Sequence, residues 1–557
     1  MRQAFGGRWK AAALIALGLL LAWFGAAISN EAIERALRGE SSGRLAWGPA
    51  LFRGLLTVHG LALAILGWRR WQRPSLTAWR SHPRRLSAGA LAAAGLLTLT
   101  AVVLRFHQLG SQLWYDEVLT LVDSVRLPLG EIVSSFPSQN HHMLYSILAR
   151  LAVDLFGESA WSLRLPAAVF GVLSIWALVA LGLKLTSLRH ALLAAALMTF
   201  SYHHIWFSQN ARGYTGLLLF ATLATWLWVE ALERDEWSWW MAYAAAVFFG
   251  VWVQMTMLFV VAGHGLVYLG MLARGRASRK ALAAWLVAGS ASLQVYALSL
   301  PEFLRSAAGE VSMPSAWTNP LWLVTETVRN LAVIPGGIAA VLAGAAVVAL
   351  GWWEIFRRHA GAALAMALPV LLCAATMVAL GHNLWPRFFF FAMGFALLFV
   401  VEGAMRLAQL AAGLLRRGGP RERLSARAEA VLAILLIAAA AATARKAYAL
   451  PKQDFLGAKA FVEQHLRPGD AVVAVGLAAK AYGDYYAPQW RSAQSPAELD
   501  ELARTHARLW LVYTLPVQIQ GFLPELWEAI LRDYRVVAVF PGTLGGGEVY
   551  VCRRAPP

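Results

Sequence analysis

The chain has 557 residues, of which 59% are hydrophobic and only 14% charged, with a formal net charge of +18. Soluble enzymes carry about 25% charge, so the composition excludes that class and points to a polytopic α-helical membrane protein. The basic residues gather in short segments between apolar runs, so their excess reports membrane topology and gives no ground for a nucleic-acid partner.

Taken in order, the first apolar run, Ala11 to Ile28, follows Arg2, Arg8 and Lys10 and ends near Ala26 and Ala27, as a signal peptide would. It is longer than a usual signal core and reads as an uncleaved first span. Further runs long enough to cross fall near 51–68, 86–104, 165–185, 190–207, 213–232, 281–300, 331–352, 360–380, 388–405 and 428–445. The run from Trp239 to Leu272 is too long for one crossing and is split near Gln254 to Thr256, which gives about 13 spans. With the N-terminus inside, this count puts Arg69 to Arg85, Arg274 to Lys280, Arg357 and Arg358, and Arg406 to Arg427 on the cytoplasmic side. One crossing fewer would expose half of them outside. The acidic link Glu230 to Glu236 dissents, although acids weigh little in that rule. The same parity sends the 105–164 loop, the 203–212 turn, the 301–330 loop, the Gly381 to Arg387 link and everything after Ala444 to the outer face.

The 105–164 loop is longer than a connector needs to be, which suggests function. It carries LWYDEVLTLVDS, Leu113 to Ser124, in which Trp114 and Tyr115 suit a headgroup boundary and Asp116 and Glu117 lie at the water edge. The two acids either decorate a helix N-terminus or supply a general base for an acceptor hydroxyl or amine. Asp123, seven residues on, reads as structural. Further along, Asn140, His141 and His142 are candidates for substrate contact, His142 the better of the two histidines, and too few ligands surround them for a metal. Met143 to Phe156 has helical apolar spacing with Arg150 and Asp154 opposite, as in a helix lying in the interface plane. His203 and His204 read as interfacial polar residues. Arg212, in the turn Gln209 to Tyr214, and Arg387, ahead of four phenylalanines, stand at helix mouths. An arginine inside hydrocarbon costs about 2.5–3.5 kcal/mol, so one at the edge calls for a partner, and its fork of donors suits a phosphate diester.

Beyond Tyr448 the character changes. A helix over Asp454 to Gln464, strands at AVVAVG, LWLVYT, RVVAVF and GEVYVC, and a helix over Pro524 to Leu531 describe a small C-terminal α/β domain. GTLGGG reads as a hairpin turn, since no helix follows to make a phosphate loop. Cys373 and Cys552 suggest neither a disulfide nor a thiolate metal site. Three regions follow: 1–85 with two N-terminal helices and a basic loop, a membrane domain 86–445 with the 105–164 outer loop, and the outer α/β domain 446–557.

The acid pair after an early span, the histidine segment before an interfacial helix, WSLRLPAAVFGV (Trp161 to Val172), SQNARGY and the late PRF together resemble the dolichyl-phosphate-mannose protein mannosyltransferase-like family. That family belongs to the glycosyltransferase C superfamily, as do the bacterial aminoarabinose lipid A transferases, and the likeness runs over roughly 86–405. It implies an inverting enzyme of a bacterial inner membrane that moves a sugar from a polyprenyl-phosphate donor to a lipid, glycan or protein acceptor at the periplasmic face. It also implies Asp116 as base with Glu117 beside it, Arg212 and Arg387 on the donor phosphate, and leaves a divalent cation open as cofactor. Substrate contacts are expected from His141, His142, Gln209, Arg212, Tyr214 and Arg387. Relatives often carry Glu at the position of Asn210 and a Pro-Pro step at His142 and Met143, which removes a second acid and marks a variant subfamily. Two other readings compete. A lipid-linked oligosaccharide ligase or polymerase would place its main outer loop later, and a lipid-linked sugar transporter would break its helices near the bilayer midplane.

Overall fold

The computed structural model describes residues 2–72, 87–138, 141–308, 337–380, 384–414 and 421–555. Asn140, most of the 301–330 loop, the start of the Gly381 to Arg387 link and several of the cytoplasmic arginines, Arg80, Arg84, Arg416 and Arg417 among them, lie outside the described residues. The described chain is a bundle of apolar helices carrying one five-stranded sheet domain.

The described parts of the apolar runs are mainly helical. Nine described helices are long and apolar enough to cross a membrane, or ten if the bent pair Arg279–Tyr296 and Leu300–Ser306 counts as one span. Leu188–Phe200, Trp237–Val253 and Met257–Leu272 are shorter, and the last two meet at the predicted split, where the backbone leaves the helix at Gln254. Serines start many of these helices. Ser29, Ser87, Ser159, Ser187, Ser201 and Ser278 each accept an otherwise orphan N–H of the first turn.

The run expected to cross near 190–207 does not do so as one helix. It stops at Phe200, and Ser201 caps a separate helix, Tyr202–Ser208. The cause is Arg105, which lies inside the helix Ala88–Phe106 and is fully buried. Its guanidinium donates to the carbonyls of Thr199 (3.0 Å) and Met198 (3.1 Å) and meets His204 Nδ1 at 2.7 Å. A cation thus occupies the negative end of the Leu188–Phe200 helix and completes its last carbonyls. His204 is therefore a buried partner, also bonded to Ser174 Oγ at 3.0 Å, and not an interfacial residue.

Close helix contacts rest on glycine. A Cβ on Gly351 would lie 1.8 Å from the Phe399 carbonyl oxygen, and one on Gly403 2.0 Å from that of Val347, so Gly337–Arg358 and Met393–Leu414 touch backbone to backbone. The two N-terminal helices, Arg2–Ala27 and Gly48–Gln72, pack on each other in the same manner. The short helix between them, Asn30–Arg38, reaches the outer loop through Arg38, which donates to the Ser134 carbonyl at 2.7 Å.

The C-terminal sheet has the order β2-β1-β3-β5-β4, with β1 (Asp470–Val475), β2 (Arg491–Ala493), β3 (Arg508–Thr514), β4 (Tyr534–Phe540) and β5 (Val549–Arg554). β1 runs parallel to β2 and β3, while β5 is antiparallel to β3 and β4. The four predicted strands and the helices Phe455–His465 and Pro524–Asp533 are present, and GTLGGG connects β4 to β5. The strand β2 and the helix Pro496–Thr505 add to them.

The two faces of this sheet do different things. Val473, Leu511 and Tyr513 face a core of the domain's own, with Leu526 and Ile530. Val472, Trp510, Val512 and Val551 join one continuous cluster with Leu113, Val118, Leu121, Leu144 and Tyr145 of the outer loop. The sheet domain and the loop that carries the acid pair therefore share a hydrophobic core.

Candidate active site

Trp114 opens a short helix, Tyr115–Thr120, with both acids in its first turn. Consecutive residues on a helix point about 100° apart, so Asp116 and Glu117 serve different walls.

Asp116 faces the arginines. Its Oδ2 is 2.6 Å from Arg212 Nη1 and 3.4 Å from Arg387 Nη1, and its side chain is 13% exposed. Arg212 comes from the turn ahead of the helix Tyr214–Arg234, and Arg387 from the 3-10 turn Pro386–Ala392 at the mouth of a long span. Arg212 is oriented by three further contacts. Its Nε donates to His142 Nε2 at 3.1 Å, its Nη2 to the Tyr214 hydroxyl at 3.4 Å, and its guanidinium lies 5.4 Å from the Tyr214 ring centre. Arg387 rests 5.1 Å from the centre of the Trp385 ring. Burial, with Arg212 beside it, pushes His142 well below its ordinary 6.5, so it is a neutral acceptor at physiological pH. Two guanidinium groups on one carboxylate leave these residues with one positive charge in excess, a setting for an anion.

Glu117, expected beside Asp116 at the catalytic centre, faces the other way. It is fully buried and accepts from Arg164 twice, Nε to Oε1 at 2.7 Å and Nη2 to Oε2 at 2.5 Å. Oε1 also accepts from the Ala211 N–H at 2.8 Å, and Oε2 from the Trp114 N–H at 3.2 Å. Lys452 Nζ stands 3.6 Å from Oε1. Burial alone would raise this carboxyl, but Arg164, Lys452 and the Ala211 N–H hold it below the ordinary carboxylate range. Glu117 is a tie: by holding Ala211 it sets the distance between the acid helix and the turn that carries Arg212.

Arg164, in WSLRLPAAVFGV, was not singled out from the sequence. Its remaining donors reach the carbonyls of Leu109 and Ser111, both at 2.8 Å, and Gln112 at 2.9 Å, so it folds the loop as well as neutralising Glu117. The available signal was an arginine within the first two turns of a 26-residue apolar helix, Ala160–Leu185. Lys452 was missed too, and it lies too far along the chain for any spacing argument to find it.

Of the remaining expected substrate contacts, Tyr214 and His142 join the arginine cluster and two residues do not. His141 meets Ser124 Oγ at 3.3 Å and the Ile132 carbonyl at 3.1 Å, which braces the loop. The Gln209 side chain donates to the carbonyls of Arg105 (3.1 Å) and His107 (2.5 Å), which pins the turn to the end of a span. Asn210 Oδ1 accepts from Trp114 Nε1 at 3.2 Å. Asp123 pairs with Lys480 of the sheet domain at 3.0 Å. Among the described residues no group of three or more His, Cys, Asp or Glu is placed to hold a metal, and a carboxylate between two guanidinium groups does not suit a divalent cation.

Residues 140–299 match the family model described as dolichyl-phosphate-mannose-protein mannosyltransferase. Arg212, His142 and Arg164 lie inside the matched stretch, whereas Asp116 and Arg387 lie outside it. No curated protein matches the sequence. Among solved structures, the chain is similar to the archaeal oligosaccharyltransferase AglB from Archaeoglobus fulgidus, in complex with an inhibitory peptide and a dolichol-phosphate. The identity is 12%, the coverage 83% of this chain and 74% of that one, and the TM-score 0.50. It is also similar to ArnT from Cupriavidus metallidurans in the apo state, at 14% identity over 84% of this chain and 98% of that one, with a TM-score of 0.47. With nine helices among the described residues long and apolar enough to cross, the chain is a multi-pass membrane protein, and over residues 140–299 it is similar to the dolichyl-phosphate-mannose-protein mannosyltransferase family.

Proposed function

We propose that this protein moves a sugar from a polyprenyl-phosphate carrier to a lipid, glycan or protein acceptor at the periplasmic face of a bacterial inner membrane. The observation that carries the reading is the meeting of Arg212 and Arg387 at Asp116 Oδ2, from positions 96 and 271 residues away in sequence. The family description names a dolichyl-phosphate-sugar donor, and the AglB structure holds a dolichol-phosphate, both in keeping with a lipid-phosphate ligand here.

The mechanism follows from the charges. A phosphate diester entering beside Asp116 takes over donors of Arg212 and Arg387, and the carboxylate is released to face the acceptor. Asp116 then removes the acceptor's proton as the acceptor oxygen or nitrogen bonds to the anomeric carbon. The bond from that carbon to the phosphate oxygen breaks, its electron pair stays on the phosphate, and the two arginines hold the added charge. A single displacement inverts the anomeric centre. Neutral His142 keeps Arg212 oriented without adding charge. No step here calls on a metal.

The test begins with mass analysis of envelope glycolipids and glycoproteins, with and without the protein, to find the product. Asp116→Asn should then reduce formation of that product by at least about a hundredfold while insertion and thermal stability stay at wild-type level. Near-normal transfer by this variant removes the base assignment.

A further inference from the structure

Residues 448–454, which join the last long helix to the sheet domain, run behind the acid pair. Lys452 is 8% exposed there, and its ammonium donates to the Gln209 carbonyl, stands 3.6 Å from Glu117 Oε1 and lies 5.3 Å from the centre of the Trp206 ring. The next residue works on the same helix. Gln453 Oε1 accepts from the Tyr115 N–H at 3.0 Å while its Nε2 donates to Thr514 Oγ1 at the end of β3, at 2.9 Å. Asp116 is thus flanked on both sides by residues held from the sheet domain's linker, and Gln209 and Ala211 begin the turn that presents Arg212.

We propose that Lys452 is a positioning residue for sugar transfer. By bridging Glu117 and the Gln209 carbonyl, it fixes the helix carrying Asp116 against the turn carrying Arg212, so the geometry of the site depends on the docked sheet domain. This rests on the roles given to Asp116 and Arg212 above. A neutral side chain of similar length would keep the packing and lose the bridge, and a misplacement of about 1 Å in such a site costs up to about a hundredfold in rate.

The bridge is also conditional on pH. The groups that face Lys452 are Glu117 from the loop, Arg164 from the helix Ala160–Leu185, Trp206 from the helix Tyr202–Ser208, and the Gln209 carbonyl from the turn. Tyr448 and Asp454 stand on its own linker. Burial first, and Arg164 second, push the ammonium down to about 7, with Glu117 opposing them. Its attraction to Glu117 is therefore present below that value and is lost as pH rises through it.

The test uses the whole protein in lipid nanodiscs, with Lys452→Arg and Lys452→Met. Hydrogen exchange at pH 6 is read over residues 113–120 and 209–214, and transfer of the identified product is read from pH 6 to 8.5. Wild-type transfer should fall by about tenfold across that range with its midpoint near the lysine's value. Lys452→Arg, which stays charged, should hold its rate. Lys452→Met should exchange faster in both segments and transfer about tenfold more slowly at pH 6, with a flat profile. Wild-type exchange in both segments of Lys452→Met, or an unchanged alkaline decline in Lys452→Arg, overturns the proposal. The exchange arm decides this independently of chemistry, so an Asp116→Asn protein that still transfers would count against the base and not against the bridge.

Discussion

Asp116 and Glu117 are adjacent, and each meets an arginine at hydrogen-bond distance, yet the two sides of this one turn are built for opposite purposes. On the Glu117 side every donor and acceptor is matched and solvent is shut out: Arg164 binds both carboxylate oxygens, two backbone N–H groups complete them, and both side chains are fully buried. On the Asp116 side the cluster is partly open, since the second arginine is 34% exposed and lies farther off, at 3.4 Å. A buried, fully bonded carboxylate holds a shape. A partly open cluster of two guanidinium groups can exchange a bond to the carboxylate for one to an anion. The structural side sets the spacing at which the open side works.

That contrast is broken most directly at Arg164. Arg164→Met strands a buried carboxylate and should destabilise the protein by about 3–5 kcal/mol, read as a lower unfolding midpoint in detergent or nanodiscs. Asp116→Asn, which removes the other acid, should leave that midpoint nearly unchanged. The pH dependence has a definite sign. Glu117 is held below the ordinary carboxylate range in the folded protein, so its contribution is present above that range and is lost as pH falls through its lowered value. In Arg164→Met the carboxyl takes up its proton more readily, and acid unfolding should begin at higher pH. Equal destabilisation by Arg164→Met and Asp116→Asn would erase the distinction between the two sides.

The sequence made one half of this contrast readable. Asp116, Arg212 and Arg387 stand at the mouths of apolar runs, where an unpaired charge is costly, and that cost alone drew attention to them. The other half is tertiary. Two neighbouring acids look alike on paper, and only the approach of Arg164 and Lys452 separates them. Tyr115 and Gln453, which meet by a single hydrogen bond, are 338 residues apart. The same reasoning applies to the fold. Span positions follow from local hydropathy, but the stop at Phe200 depends on a guanidinium arriving from the Ala88–Phe106 helix. In the sheet domain, the long strands announce themselves by β-branched runs, whereas the three-residue strand β2 has no pattern to read. His141 and Gln209 are plausible contacts on sequence because polar side chains in outer loops often are, and their partners prove to include the backbone carbonyls of Ile132 and Arg105.

The contrast is sharpened at Arg387, on the open side. Arg387→Ala should weaken binding of a polyprenyl phosphate by about 1.5–3 kcal/mol, roughly tenfold to a hundredfold, as expected for loss of a charge-assisted hydrogen bond. The unfolding midpoint should barely move, because this arginine is 34% exposed and its removal leaves Asp116 paired with Arg212. Undiminished affinity would discard the clamp and leave Arg212 to hold the phosphate without it.

The smallest effect is expected where the sheet domain meets the outer loop at its surface. Asp123 and Lys480 approach to 3.0 Å with side chains 31% and 37% exposed, and Lys480 keeps Asp484 as a second partner at 2.8 Å. Solvent-exposed pairs of this kind contribute about 0–1 kcal/mol and fade with salt. Asp123→Asn should therefore leave both stability and transfer close to wild type, measured in low and physiological salt. The docking surface would then owe its strength to the shared apolar core and to the buried contacts of Lys452 and Gln453. A loss of transfer in Asp123→Asn as large as that in Lys452→Met would mean that the domain is held by its rim, and that the buried bridge has no special part in placing Asp116.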